Sequence, residues 1–240
     1  MILFNIAIKN LFGAKLRTSL NVFVTSVSFF LVIFVSGMYD GMREHAKNIT
    51  IETEIAGGTY WHPKYDPMDP RTFEYSHSVM PPKIKRLIDQ KYAFGVLVSQ
   101  ASIYPNGRIM PAIMKGITPG QTIVNIPTDV LEQDDDITIP VLIGSEMAKN
   151  SNLKIGDSFT IRWLDADRTY DANEGTIVHI METENFKLDQ GHIWIPLSKA
   201  QSMLAMENQA TYVTYAKGLD VMQDTDCLLY TSDAADEVLG

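Results

Sequence analysis

Cysteine is almost missing from this chain of 240 residues, which has one, Cys227. A single cysteine excludes a disulfide framework and a cysteine-ligated zinc site. No Gly-x-x-x-x-Gly-Lys-Ser/Thr loop occurs, so the chain is not itself a P-loop ATPase. Its five histidines, His45, His62, His77, His179 and His192, contain no i, i+4 pair and no cysteine partner, so metal-ligand spacing is absent. No Gly-x-Ser-x-Gly turn supports a serine nucleophile. Residues 171–175 with Glu182 superficially resemble a calcium loop. The glycine falls one place early, however, and 176–181 reads as strand, so we expect a hairpin tip there. Asp134, Asp135 and Asp136 read as a solvated acidic loop. Basic charge is scarce: residues 43–226 carry 17 basic and 25 acidic side chains, a net −8. Such a balance, with no basic stripe, argues against nucleic acid and against a grip on anionic lipid heads. No repeat and no low-complexity stretch is present. No residue emerges as catalytic, metal-ligating or cofactor-binding.

What the chain does have is a run of nineteen uncharged residues, 20–38 (LNVFVTSVSFFLVIFVSGM). Twelve of them are Leu, Ile, Val or Phe, contributing about −4 to −7 kcal/mol to insertion. The run is long enough to cross the roughly 30 Å hydrocarbon core as a helix. A cleaved signal peptide fits poorly, since the run is long and no A-x-A site follows. A buried core helix fits poorly too, because Phe and Val fall on every face. Lys9, Lys15 and Arg17 precede the run without an acid, whereas Asp40, Arg43, Glu44 and Lys47 follow it. This bias places the N-terminus in the cytoplasm and the remainder outside. Phe4, Ile8, Leu11 and Phe12 give residues 1–17 an apolar stripe suited to the interface, with 18–42 as the transmembrane helix.

Residues 227–237 read CLLYTSDAADE. Back-translated, this string resembles one frame of a transposase-end sequencing adaptor. We therefore expect 227–240 to be an artefact that packs on nothing, and the natural chain to have been cut near Asp226. Without Asp233, Asp236 and Glu237 the formal charge of −9 becomes −6.

The span is expected to run on as helix to about Asn48. Residues 49–55 (ITIETEI) then alternate like a strand ending at Gly57 and Gly58, with Tyr60-Trp61-His62 as a strand end. Residues 62–82 hold five prolines and read as a long loop. A helix is predicted at 83–91 after Pro81-Pro82, and a hairpin from 96–104 and 108–115 around Pro105-Asn106-Gly107. A buried strand follows at 139–143, then a helix at 146–153 capped by Ser145. Further strands are predicted at 158–164, 175–182, 193–196 and 211–216, with a helix at 198–206. The fold class is α/β (α+β): a mixed sheet with short helices in one core or two small lobes, following one transmembrane helix.

These residues also carry a resemblance. Asn10-Leu11, then Lys15-Leu16-Arg17-Thr18-Ser19-Leu20 and the apolar run, resemble the first membrane helix of FtsX-like permeases of ABC transporters. Residues 115–119 (KGITP), 142–148 (LIGSEMA), 153–157 (LKIGD) and 193–201 (IWIPLSKAQ) resemble, in order and spacing, the MacB-like periplasmic core domain, which would occupy 43–226. The family includes lipoprotein-releasing and MacB-type exporters. The resemblance implies a permease subunit of a bacterial inner-membrane ABC transporter. It would move a substrate such as a lipoprotein or amphiphile with ATP bound and hydrolysed by a separate subunit. The chain itself would be no enzyme and hold no cofactor. Implied partners are the ATPase subunit, a second permease copy or paralogue, the bilayer, and a periplasmic adaptor or lipoprotein. Three further membrane helices are implied beyond residue 226. The alternatives are an FtsX-type regulator relaying force to cell-wall hydrolases, and a single-pass anchored sensor.

Overall fold

The computed structural model describes residues 15–66, 69–132, 138–218 and 231–232. The interfacial stripe at residues 1–14 and the acidic triplet at 134–136 lie outside the described residues. The chain forms two compact units, residues 1–47 and 48–240.

Helix α1 runs Lys15–Thr50, 36 residues without proline. At about 1.5 Å per residue that length exceeds the roughly 30 Å of a bilayer core. The side chains of residues 20–38 are all exposed, Phe29 at 68% and Phe34 at 58%. Water gives no reason to hold such a surface as helix; lipid does, because every backbone polar group is then paired internally. Thr25 obeys the same demand, donating its hydroxyl to the Asn21 carbonyl at 2.8 Å.

The strand expected at 49–55 does not form. Ile51–Ile55 is instead a single π-helical turn, closed by the Ala56 N–H on the Ile51 carbonyl at 2.7 Å. Period-two alternation of β-branched residues reports a half-buried surface and not a backbone state. Extending a long existing helix adds one bond for each residue fixed. Thr53 joins in, its hydroxyl bonding the Ile49 carbonyl at 2.8 Å.

Beyond lie β1 (Gly58–Trp61), a 3₁₀ turn (Pro70–Glu74), β2 (Ser78–Val79), α2 (Pro82–Asp89), β3 (Ala93–Tyr104) and β4 (Met110–Ile117). Then follow β5 (Ile139–Gly144), α3 (Ser145–Ser151), β6 (Ser158–Leu164), β7 (Tyr170–Met181), α4 (Phe186–Gly191) and β8 (His192–Pro196). The series ends with α5 (Leu197–Met203), β9 (Gln209–Ala210), β10 (Tyr212–Tyr215) and β11 (Thr231–Ser232). The expected hairpin is present: Ile103 faces Met110, and Asn106 and Gly107 take positive φ at the turn.

The large sheet has the order β11-β1-β10-β3-β4-β8-β5-β7-β6, and β6 pairs back onto β3. Six strands therefore close into a barrel, with β10, β1 and β11 continuing from its side. Pairs β4/β8 and β5/β7 are parallel and the others antiparallel, so the sheet is mixed. Inside the barrel Ile103, Met114, Val141, Ile143, Ile161, Ile177 and Ile193 are buried. The opposite face buries Val96, Ile117, Leu142 and Trp194. Strand β5 is covered on both faces, which is why IPVLIG reads as an unbroken apolar run. Residues 48–240 form one unit and not two lobes.

Three expectations are corrected here. Residues 171–174 are not a hairpin tip: β7 begins at Tyr170 and pairs with β6 through Leu164, leaving 165–169 as the turn. Ser145 does not cap α3. The Asp189 carboxylate does so from α4, accepting the Ser145 N–H at 2.7 Å, the Glu146 N–H at 3.1 Å and the Ser145 hydroxyl at 3.0 Å. Finally, against the expectation that 227–240 packs on nothing, its two described residues, Thr231 and Ser232, pair with Tyr60 and Thr59. The open edge of β1 offers unpaired backbone groups to any extended segment. Leu228, Leu229 and Tyr230 lie outside the described residues.

Candidate functional site: the helix-to-sheet junction

An ion pair helps to seat the π-helical turn on the sheet. Lys115, on the outward face of β4, extends its Nζ to 2.9 Å from Glu54 Oε1. Its side chain is 10% exposed and that of Glu54 33%. Burial works to strip the lysine of its proton. Attraction to Glu54, helped by Tyr212, overcomes that, so the Lys115 pKa stands above its ordinary value. A lone lysine in the apolar stretch AIMKGI implies a counter-charge; the sequence does not say which acid supplies it.

Backbone contacts hold the same turn from two sides. The Asn125 N–H donates to the Glu52 carbonyl at 2.8 Å, and the Gly57 N–H to the Tyr215 carbonyl at 2.9 Å. The Thr214 hydroxyl reaches the Glu54 carbonyl at 3.4 Å. Residues 121–128 are pinned by one amide. Gln121 Oε1 accepts the N–H groups of Ile123 and Val124, and its Nε2 donates to the carbonyls of Val124 and Ile126. A Cβ at Gly57 would meet the Ala216 backbone carbonyl, so the chain leaves the turn where only glycine fits.

A ladder of rings continues from here. Trp61 lies against Tyr212 at 4.1 Å and against Tyr65 at 4.0 Å, and Tyr65 stacks on Phe73 at 5.8 Å. Tyr60 sits beside Tyr215, its hydroxyl buried without a partner among the described residues. Burial first, then Tyr215, pushes the Tyr60 phenol up to about 12. The gap beside Lys115 and Thr53 holds only about 10 Å³, no more than a single water. Among the described residues this gap has no room for a substrate, and the joint here is packed.

The histidines do not converge on a metal site: among the described residues no group of three or more His, Cys, Asp or Glu could hold an ion. His77 bridges Gln209 Oε1 at 2.7 Å and the Glu74 carbonyl at 3.0 Å. His62, its pKa lowered by burial and then by His77 and Lys64, accepts the Lys64 N–H at 3.2 Å. His179 lies on β7, His192 opens β8 against Trp194, and His45 belongs to α1.

No family model matches the sequence, and no curated protein matches it. Among solved structures the chain is similar to the extracellular domain of the noncanonic ABC-type transporter YknZ from Gram-positive bacteria. That likeness has 10% identity over 68% of this chain and 83% of that one, with a TM-score of 0.44. The chain is also similar to the periplasmic region of MacB from Actinobacillus actinomycetemcomitans. Here identity is 11% over 74% of this chain and 88% of that one, with a TM-score of 0.47.

Proposed function

We propose that this chain is the membrane-spanning, permease subunit of an ABC transporter. A separate subunit binds and hydrolyses ATP. Helix α1 crosses the bacterial inner membrane with its N-terminus in the cytoplasm and carries motion to the sheet domain outside. The substrate is a lipoprotein or another amphiphile. This chain supplies no catalytic group and binds no cofactor, and a second permease copy or paralogue completes the membrane part. The observation that carries the reading is the seating of the π-helical turn. The helical run ends in a joint tied by the Glu54–Lys115 pair, two backbone bonds and the Thr214 hydroxyl, where a mere anchor needs only a flexible tether.

The test is to break α1 without touching the joint. In the full-length protein, Met42→Pro removes an intrahelical bond and clashes with the preceding turn, a local cost of about 3 kcal/mol. The complex with its ATPase should still assemble and hydrolyse ATP in nanodiscs. The ATP-dependent change in fluorescence of a dye at Val79, in the sheet domain, should be lost. If that signal persists at full amplitude, α1 is only an anchor. If no ABC ATPase co-purifies with the unmodified protein, the transporter reading itself is wrong.

A further inference from the structure

Strand β3 changes partner along one edge. Residues 93–96 pair with β10 and residues 101–104 with β6. Around Ser99 and Gln100, where the two neighbours diverge, the outer face opens into a cleft of about 320 Å³. The 3₁₀ turn Pro70–Glu74 borders it, as do β6 and the turn that leads into β7. This volume is at the lower end of the roughly 300–1,000 Å³ typical of small-molecule pockets.

The lining has an unusual balance. Arg162 and Arg168 contribute two positive charges, and Glu74 and Asp165 two negative ones, so no net charge selects an anion or a cation. The two arginines form no ion pair among the described residues. Asp165 is partly engaged, accepting the Thr169 N–H at 2.7 Å. Exposed tyrosines stand beside these polar groups: Tyr170 is 65% exposed and Tyr75 47%. The Arg162 guanidinium lies 4.2 Å over the Tyr170 ring, which fixes its fork at the mouth of the cleft.

Forked donors, acceptors and exposed aromatic faces without net charge suit a neutral ligand that is polar round its rim and apolar on its faces. That is the chemistry of a sugar ring: hydroxyls bond the arginine and carboxylate groups while C–H faces stack on tyrosine. A charged amphiphile would need a surplus of one sign, and a protein partner a wider apolar surface. We infer that this cleft is a saccharide-binding site sized for about one or two rings. The inference does not depend on the permease reading, and the cleft contains neither Glu54 nor Lys115.

Saturation-transfer NMR on the full chain tests this. The protein is held in a polyoxyethylene detergent that has no sugar headgroup. N,N′-diacetylchitobiose and maltose are the probes, and dodecyl phosphate is the competing chemistry. Saturable transfer to at least one sugar is expected. It should weaken about tenfold or more in Tyr170→Ala and Arg162→Ala, while Lys149→Ala, at an exposed position of α3, leaves it unchanged. Both cleft changes lie on exposed side chains, and an unchanged denaturation curve checks that the fold survives. No transfer to either sugar up to about 10 mM overturns the inference. So does transfer indifferent to both cleft variants, or Arg162-dependent binding of dodecyl phosphate alone.

Discussion

Glu54 and Lys115 are the residues on which the joint depends, and their worth is asymmetric. Removing one partner of a buried pair costs about 3–5 kcal/mol because the other charge stays buried; replacing both by apolar groups is near neutral. Glu54 keeps a third of its side chain in solvent, so Glu54→Ala should cost less, about 2 kcal/mol. Glu54→Leu with Lys115→Met should recover most of that in guanidinium titrations followed by tryptophan fluorescence. The pH dependence has a definite sign. The folded lysine holds its proton more tightly than the unfolded one, whose value is 10.5. The pair's contribution is thus complete below that pH and is lost as pH rises through the higher folded value. Stability should be flat from neutrality to about pH 10 as far as this pair is concerned, then fall. Lys115→Met should shrink that alkaline decline to the part due to other groups such as Tyr60, whose phenol is also raised; a decline of undiminished size in the variant would take it away from Lys115 altogether.

At the level of elements, α3 shows how a short helix is kept by a distant one. Seven residues are too few to hold a helix by propensity alone. The orphan N–H groups of its first turn are met by Asp189, whose side chain arrives from α4 and is 3% exposed. Gly144 leaves the space for it, since a Cβ there would collide with Asp189. Asp189→Ala strands two part-buried N–H donors and should cost about 2 kcal/mol. Amide hydrogen exchange should accelerate in residues 145–151 well before the strands of the barrel respond. If exchange rises uniformly across the sheet instead, Asp189 holds the domain and not the helix. The π-helical turn obeys the same logic: Ile51–Ile55 is helical because packing and Thr53 favour it, against its strand-like alternation.

For the whole molecule, two units with different solvents explain its composition. Residues 20–38 expose apolar side chains throughout, whereas the sheet unit buries its apolar residues on both faces of a barrel. The proposed topology has a direct test in whole cells. With Cys227→Ser as background, a cysteine at Val79, 60% exposed, should react with a membrane-impermeant maleimide, and one at Ala14 should not. The reverse pattern would overturn the reading of the charged flanks.

The sequence alone determined those features that rest on local chemistry or on periodicity. The apolar run of residues 20–38 demanded a membrane-length helix. Pro105-Asn106-Gly107 demanded a turn because two successive residues must take positive φ. IPVLIG demanded a strand covered on both faces, and Pro81-Pro82 marked where α2 begins. The tertiary structure decided whatever depends on partners remote in the chain. Nothing local to residues 49–55 reveals that the helix runs on, since the groups receiving it, Lys115, Asn125, Thr214 and Tyr215, lie 61 or more residues away. Asp189 reads as an ordinary surface acid until α4 brings it to Ser145, 44 positions earlier. The closure of β6 onto β3, and the cleft opened where β3 changes neighbours, are set by strand pairing, which the period of a single strand does not encode.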